Sequence, residues 1–105
     1  MKKLTALCAT LLALNCMGKT VEASVSAGAA GFAANCAECH PGGENIVNPA
    51  KNLRIMTLKA NGIFTAQDII AKMRKPGPGM TRFDPKDLPD GEAREIAEYI
   101  LATFR

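Results

Sequence analysis

The stretch Cys36-Ala37-Glu38-Cys39-His40 limits what this chain can fold into more than any other feature. Two thiols separated by two residues, with an imidazole directly after, are open to three chemistries: a redox dithiol, part of a zinc site, or the covalent attachment of a haem. Each demands a different fold around it, so the rest of the chain decides among them.

A redox CxxC sits at the end of a strand and opens a helix in a βαβ unit. No strand-like alternation precedes Cys36, and apolar positions recur at helical spacing instead. A structural zinc takes four N/S ligands in tetrahedral geometry. His40 is the only histidine, and beyond the N-terminal stretch Cys36 and Cys39 are the only thiols, so a fourth ligand is missing. C-x-x-C-H is the signal for c-type haem attachment. The two thiols add to the two vinyl groups on one edge of the macrocycle, and the adjacent imidazole lies under the iron as proximal ligand. The cofactor expected is one haem c, bound through Cys36 and Cys39.

The N-terminus agrees with that chemistry, because attachment takes place outside the cytoplasm. Lys2 and Lys3 precede an apolar run from Leu4 to about Cys16 that is too short to span a bilayer. Val21-Glu22-Ala23 resembles a signal-peptidase site, which divides the chain into a signal peptide, 1–23, and a domain, 24–105. The protein is expected to be exported to the periplasm. Cys16 leaves a second route open, a lipid anchor holding the domain to a membrane facing the periplasm, although Ala13-Leu14-Asn15 fits a lipobox poorly. Cys8 lies inside the apolar run and reads as a hydrophobe. From Ser24 onward there are ten Lys/Arg against nine Asp/Glu, a net of +1, which gives no reason to expect nucleic acid.

A domain this small sits near the limit of what its own core stabilises, and a large buried prosthetic group would supply apolar surface. Its helices read as follows. A first runs from about Ser26 to Cys36, with Gly28 and Phe32 one turn apart. Asn48-Pro49 opens a second, with Asn as cap and Pro at the first position, and Asn61-Gly62 stops it. Thr65-Ala66-Gln67-Asp68 resembles a capping box opening a third, through Ile69, Ile70 and Met73, which must end before Pro76. The last starts near Pro89 or Asp90 and reaches about Phe104, with Ala93, Ile96, Ala97, Ile100 and Leu101 as its apolar stripe. The fold class is all-α, four short helices joined by long loops around one haem.

With a single histidine, a bis-histidine iron is impossible, so a sixth ligand must come from Met, Lys, another group or nothing. Met56 and Met73 lie within helical apolar patterns and read as core. Met80 lies in the loop KPGPGMTRFDPKD, where no helical stripe explains it, and is the expected axial ligand opposite His40. Val47, Leu53, Leu58, Ile63, Ile69, Ile70, Met73 and Phe83 are candidates for the apolar pocket. His40 is expected to donate its other ring N–H to a backbone carbonyl near Asn48 or Pro49.

These residues together resemble a class I monohaem cytochrome c of the cytochrome c6 type, over nearly all of 28–101. Gly28 and Phe32 match that family's first-helix pair, and Asn35 through His40 its haem motif. Gly42-Gly43, Asn45, Val47, Pro49, Lys51 and Leu53 follow its loop into the second helix. Met80, forty residues after His40 as in the family, is followed by the aromatic Phe83. Leu88, Asp90, Ala97, Tyr99 and Ile100 fall on the pattern of its last helix. The resemblance implies that Gly28 lets the first helix cross the last closely, beside Phe32 and Tyr99. Thr81-Arg82 stands where the family commonly has Pro after the Met, and KPGPGM looks more like c6-like cytochromes of metal-respiring bacteria, some of which are outer-membrane lipoproteins.

The function expected is single-electron transfer with His40/Met80 axial ligation, by a monomer that meets redox partners transiently and is no enzyme, since a six-coordinate iron has no open position. Lys72, Arg74, Lys75 and Arg82 bracket the Met80 loop and form a candidate basic rim for docking. Two other functions keep a place: a gas-binding or sensor protein with an open or labile sixth site, and one haem subunit of a larger oxidoreductase.

Overall fold

The computed structural model describes residues 21–105. The signal peptide and Cys16 fall almost wholly outside the described residues. Four α-helices carry the fold: α1, Val21–Asn35; α2, Ile55–Ala60; α3, Ala66–Arg74; and α4, Asp90–Thr103. Among the described residues there is no strand, as the helical spacing of the apolar positions requires. The first helix begins at Val21 rather than near Ser26, running through the expected cleavage site.

The frame is the pair α1 and α4, with α3 also packed against α4. Two glycines make the first contact possible. A side chain at Gly28 would meet the Glu95 carbonyl oxygen at 2.4 Å, and one at Gly31 would meet the Ile96 side chain at 2.8 Å. Phe32, Tyr99 and Phe104 close the end of this crossing, with ring centroids 5.3–5.9 Å apart. Edge and tilted arrangements of this kind add to the area they bury. The core continues through Leu58, Ile69, Ile70, Met73 and Leu88 to Ala93, Ile96, Ala97 and Ile100, and among the described residues no polar side chain is buried with it.

Local chemistry sets most helix ends. Thr65 accepts from the Asp68 N–H while the Asp68 carboxylate accepts from the Thr65 N–H, a complete capping box on α3. Gly62, at φ +79°, turns the chain out of α2. One helix expected from Asn48 to Asn61 is in fact two pieces. Asn48 does cap a 3-10 turn, Pro49–Lys51, through the Ala50 N–H. The chain then extends because the Leu53 N–H is taken by the Gly43 carbonyl at 2.7 Å, and the Asn52 side chain accepts from the Arg54 N–H before α2 starts. Within α2, Met56 points to solvent at 78% exposure, so its reading as core is overturned. A helix of six residues has one face against the core, which Leu58 occupies.

Candidate functional site

The haem motif lies in the turn that ends α1. The Phe32 carbonyl accepts from both the Cys36 and Ala37 N–H groups, and the Cys36 carbonyl then accepts from Cys39 and His40 at 3.2 and 2.9 Å. This tight winding puts both thiols and the imidazole on one short arc. Next, Pro41–Gly43 makes a 3-10 turn in which Gly42 and Gly43 hold φ +62° and +85°. That conformation suits glycine, and Gly43 also lies flat on the Phe104 ring, where a Cβ would come within 2.6 Å.

The turn brings the Glu44 carbonyl back to His40 Nδ1 at 2.9 Å. A carbonyl only accepts, so Nδ1 carries the proton and Nε2 of the neutral ring keeps its lone pair for a metal. The expected partner near Asn48 or Pro49 is therefore replaced by Glu44, whose carboxylate pairs with Arg54. Asn45 orders the following loop, accepting from the Val47 and Asn48 N–H groups and donating to the Lys51 carbonyl, each at 2.9 Å.

Cys36, Cys39, His40 and Met80 line one cavity of about 440 Å³. Its walls come from all parts of the chain: Leu53 and Leu58, Ile69 and Met73, Phe83 and Leu88, and Ile100 of α4. Ile63 and Val47 also line it, whereas Ile70 turns into the core and does not. The size is ordinary for a cofactor pocket. Both thiols are free, Cys39 exposed and Cys36 half-buried, and burial pushes the Cys36 thiol up to about 11. Met80 is 38% exposed and Val47 58% exposed, although both face this pocket.

This arrangement fits a c-type haem. Two unpaired thiols at the attachment spacing, an imidazole with Nε2 available, and an apolar cavity are the donors and walls such a group needs. Among the described residues no cluster of His, Cys, Asp and Glu offers a competing metal site. The four residues singled out in the sequence, Cys36, Cys39, His40 and Met80, are brought to this one cavity. Arg74, expected on a basic rim, instead turns inward, its side chain 20% exposed.

The family described as cytochrome c oxidase, cbb3-type, subunit III, matches residues 23–100. Cytochrome c6 of Synechocystis sp. is 36% identical over 86 residues, covering 81% of this chain and 71% of its own. Cytochrome c6 of Rippkaea orientalis is 40% identical over 77 residues, covering 73% and 68%. Among solved structures, the outer membrane cytochrome OmcF of Geobacter sulfurreducens superposes with a TM-score of 0.73 at 45% identity, over 74% of this chain and 99% of that one.

Proposed function

The chain belongs to the class I monohaem cytochromes c of the c6-like kind, which makes it an electron-transfer protein with one covalently bound c-type haem, and we propose that His40 and Met80 hold the iron from its two sides. The observation that carries this assignment is the single cavity shared by Cys36, Cys39, His40 and Met80.

The haem supplies a reversible one-electron Fe(II)/Fe(III) couple. The residues around it set how that couple behaves. Cys36 and Cys39 tether the group to the end of α1. The Glu44 carbonyl orients the His40 ring and makes Nε2 a better donor. The soft Met80 thioether favours the reduced iron and raises the potential. Leu58, Ile69, Met73, Leu88 and Ile100 exclude water and disfavour the extra charge of the oxidised form. With His40 and Met80 both committed to a bound haem, no position would be left for a substrate, which makes the chain a carrier and not an enzyme.

Export to the periplasm follows from the signal-like residues 1–23. OmcF bears the name of an outer membrane cytochrome, and Cys16 gives this chain a residue at which a lipid could be attached. No helix among the described residues is long and apolar enough to cross a membrane. Partners are redox proteins met transiently by a monomer.

The deciding measurement is the weak near-infrared sulfur-to-iron band of the oxidised holoprotein. It should be present in the natural protein on a low-spin spectrum and absent from Met80→Ala, whose potential should fall. A Met80→Ala protein with unchanged spectrum and potential would show that another group is the ligand. A high-spin natural protein that binds carbon monoxide rapidly would favour the gas-binding reading.

A further inference from the structure

The strap that carries Met80 is closed at its neck by one side chain. The Phe83 N–H donates to the Met73 carbonyl at 2.9 Å, joining the last turn of α3 to the far end of the strap. Arg74, the next residue, reaches across the same neck. Its Nη1 donates to the Phe83 carbonyl at 3.1 Å and to the Leu88 carbonyl at 2.9 Å, and its Nη2 donates to Asp90 Oδ1 at 2.5 Å. One planar guanidinium thus ties together the end of α3, the strap just after Met80, and the first residue of α4.

Between these anchors the strap has little else to hold it. The Met80 N–H makes a long bond of 3.4 Å to the Gly77 carbonyl, and Gly77, Pro78 and Gly79 offer no side-chain donor. Gly79 holds φ +88°, and a Cβ added there would come within 3.2 Å of the Val47 side chain. Phe83 follows Met80 by only three residues, so the neck limits where the sulfur can come to rest.

We propose that Arg74 is the positioning residue for Met80: by bonding the Phe83 and Leu88 carbonyls it holds the strap so that the thioether stays on the iron. The proposal rests on Met80 being the axial ligand. Five donors in a fixed fork suit guanidinium to two carbonyls and a carboxylate at once, and a lysine ammonium cannot span the same set. Asp90 contributes less, because its carboxylate is 86% exposed and its pairing with Arg74 is screened by water.

The test is competition at the sixth position, using imidazole as the displacing ligand on the oxidised holoprotein and the near-infrared band as the readout. Loss of about one hydrogen-bond pair should make imidazole displace Met80 roughly tenfold more readily in Arg74→Met and about threefold more readily in Arg74→Lys. The same variants should lose the band at lower pH than the natural protein. Ile96→Val, which loosens the α1/α4 core away from the strap, serves as control and should lower the melting temperature without changing imidazole affinity. Natural affinity in both Arg74 variants, or an equal gain in Ile96→Val, would overturn the proposal. If the natural protein lacks the band and matches Met80→Ala, the axial assignment itself fails and takes this inference with it.

Discussion

A Cβ placed on Gly28 would lie 2.7 Å from the Tyr99 Cβ, and 2.4 Å from the Glu95 carbonyl oxygen one turn earlier on α4. Helices α1 and α4 therefore meet with no room for one methyl group, and part of the obstruction is backbone that cannot rotate aside. Alanine at this position would gain about 1 kcal/mol of helix propensity. Overpacking against a fixed carbonyl typically costs about 1–3 kcal/mol, and at the upper end of that range Gly28→Ala should lose up to about 2 kcal/mol net. Gly91, in the first turn of α4, has nothing within 4 Å of the same added atom. Gly91→Ala should be neutral to stabilising by up to about 1 kcal/mol. Denaturant midpoints of the two holoproteins moving in opposite directions would confirm both readings.

The cap of α3 predicts an acid limb. Asp68 accepts from the Phe64 N–H at 2.9 Å and the Thr65 N–H at 3.1 Å, and the Phe64 bond above all holds its carboxyl below the usual aspartate range. A carboxylate whose folded pKa is depressed stabilises the protein above its unfolded value and loses that contribution as pH falls through the folded one. Stability should therefore drop below about pH 4, and Asp68→Asn should flatten that part of the curve. Thr65→Ala removes the partner bond to the Asp68 N–H and should cost about 1 kcal/mol across the pH range. Thermal melts from pH 3 to 7 read both effects.

The apolar walls of the cavity, Leu58, Ile69, Met73, Leu88 and Ile100 among them, have no protein atoms to pack against on the cavity side. A domain this small has little core to spare, and a bound haem would bury those walls. The chain made without haem should be largely unfolded, with weak far-ultraviolet helical signal, and attachment should restore it. A haem-free chain that melts cooperatively with full helicity would show that the α1/α4 core suffices alone.

Local signals were the legible part of this molecule. The haem motif, the Thr65 capping box, the Gly62 stop and the proline-bounded strap each depend on residues within a few positions, and all lie where the sequence puts them. Distant contacts account for the rest. The break between Asn48 and Asn61 follows from the Leu53 N–H bonding Gly43, which no period in the segment encodes. Arg74 looks like surface charge until Phe83 and Leu88 bring their carbonyls to it from across the strap. Likewise His40 finds Glu44 because two left-handed glycines fold the chain back, a turn whose closure the loop sequence HPGGEN does not specify by itself.

Arg74 and Arg82 are both engaged, with Asp90 and Asp84 respectively, which narrows the basic rim expected around the Met80 strap. Of that rim, Lys72 on the cavity wall and Lys75 just after α3 remain, and with Lys51, also on the wall, they contribute to the field there. Such charges steer approach more than they hold a complex together, and their effect falls with salt. Lys72→Glu combined with Lys75→Glu should slow oxidation of the reduced protein by the anion ferricyanide roughly tenfold at low ionic strength. The same pair should speed oxidation by a cationic ruthenium ammine complex, and both changes should vanish near 1 M salt. Slowing by both reagents would mean that the substitutions disturbed the pocket. No change with either would mean that electrons leave by another face.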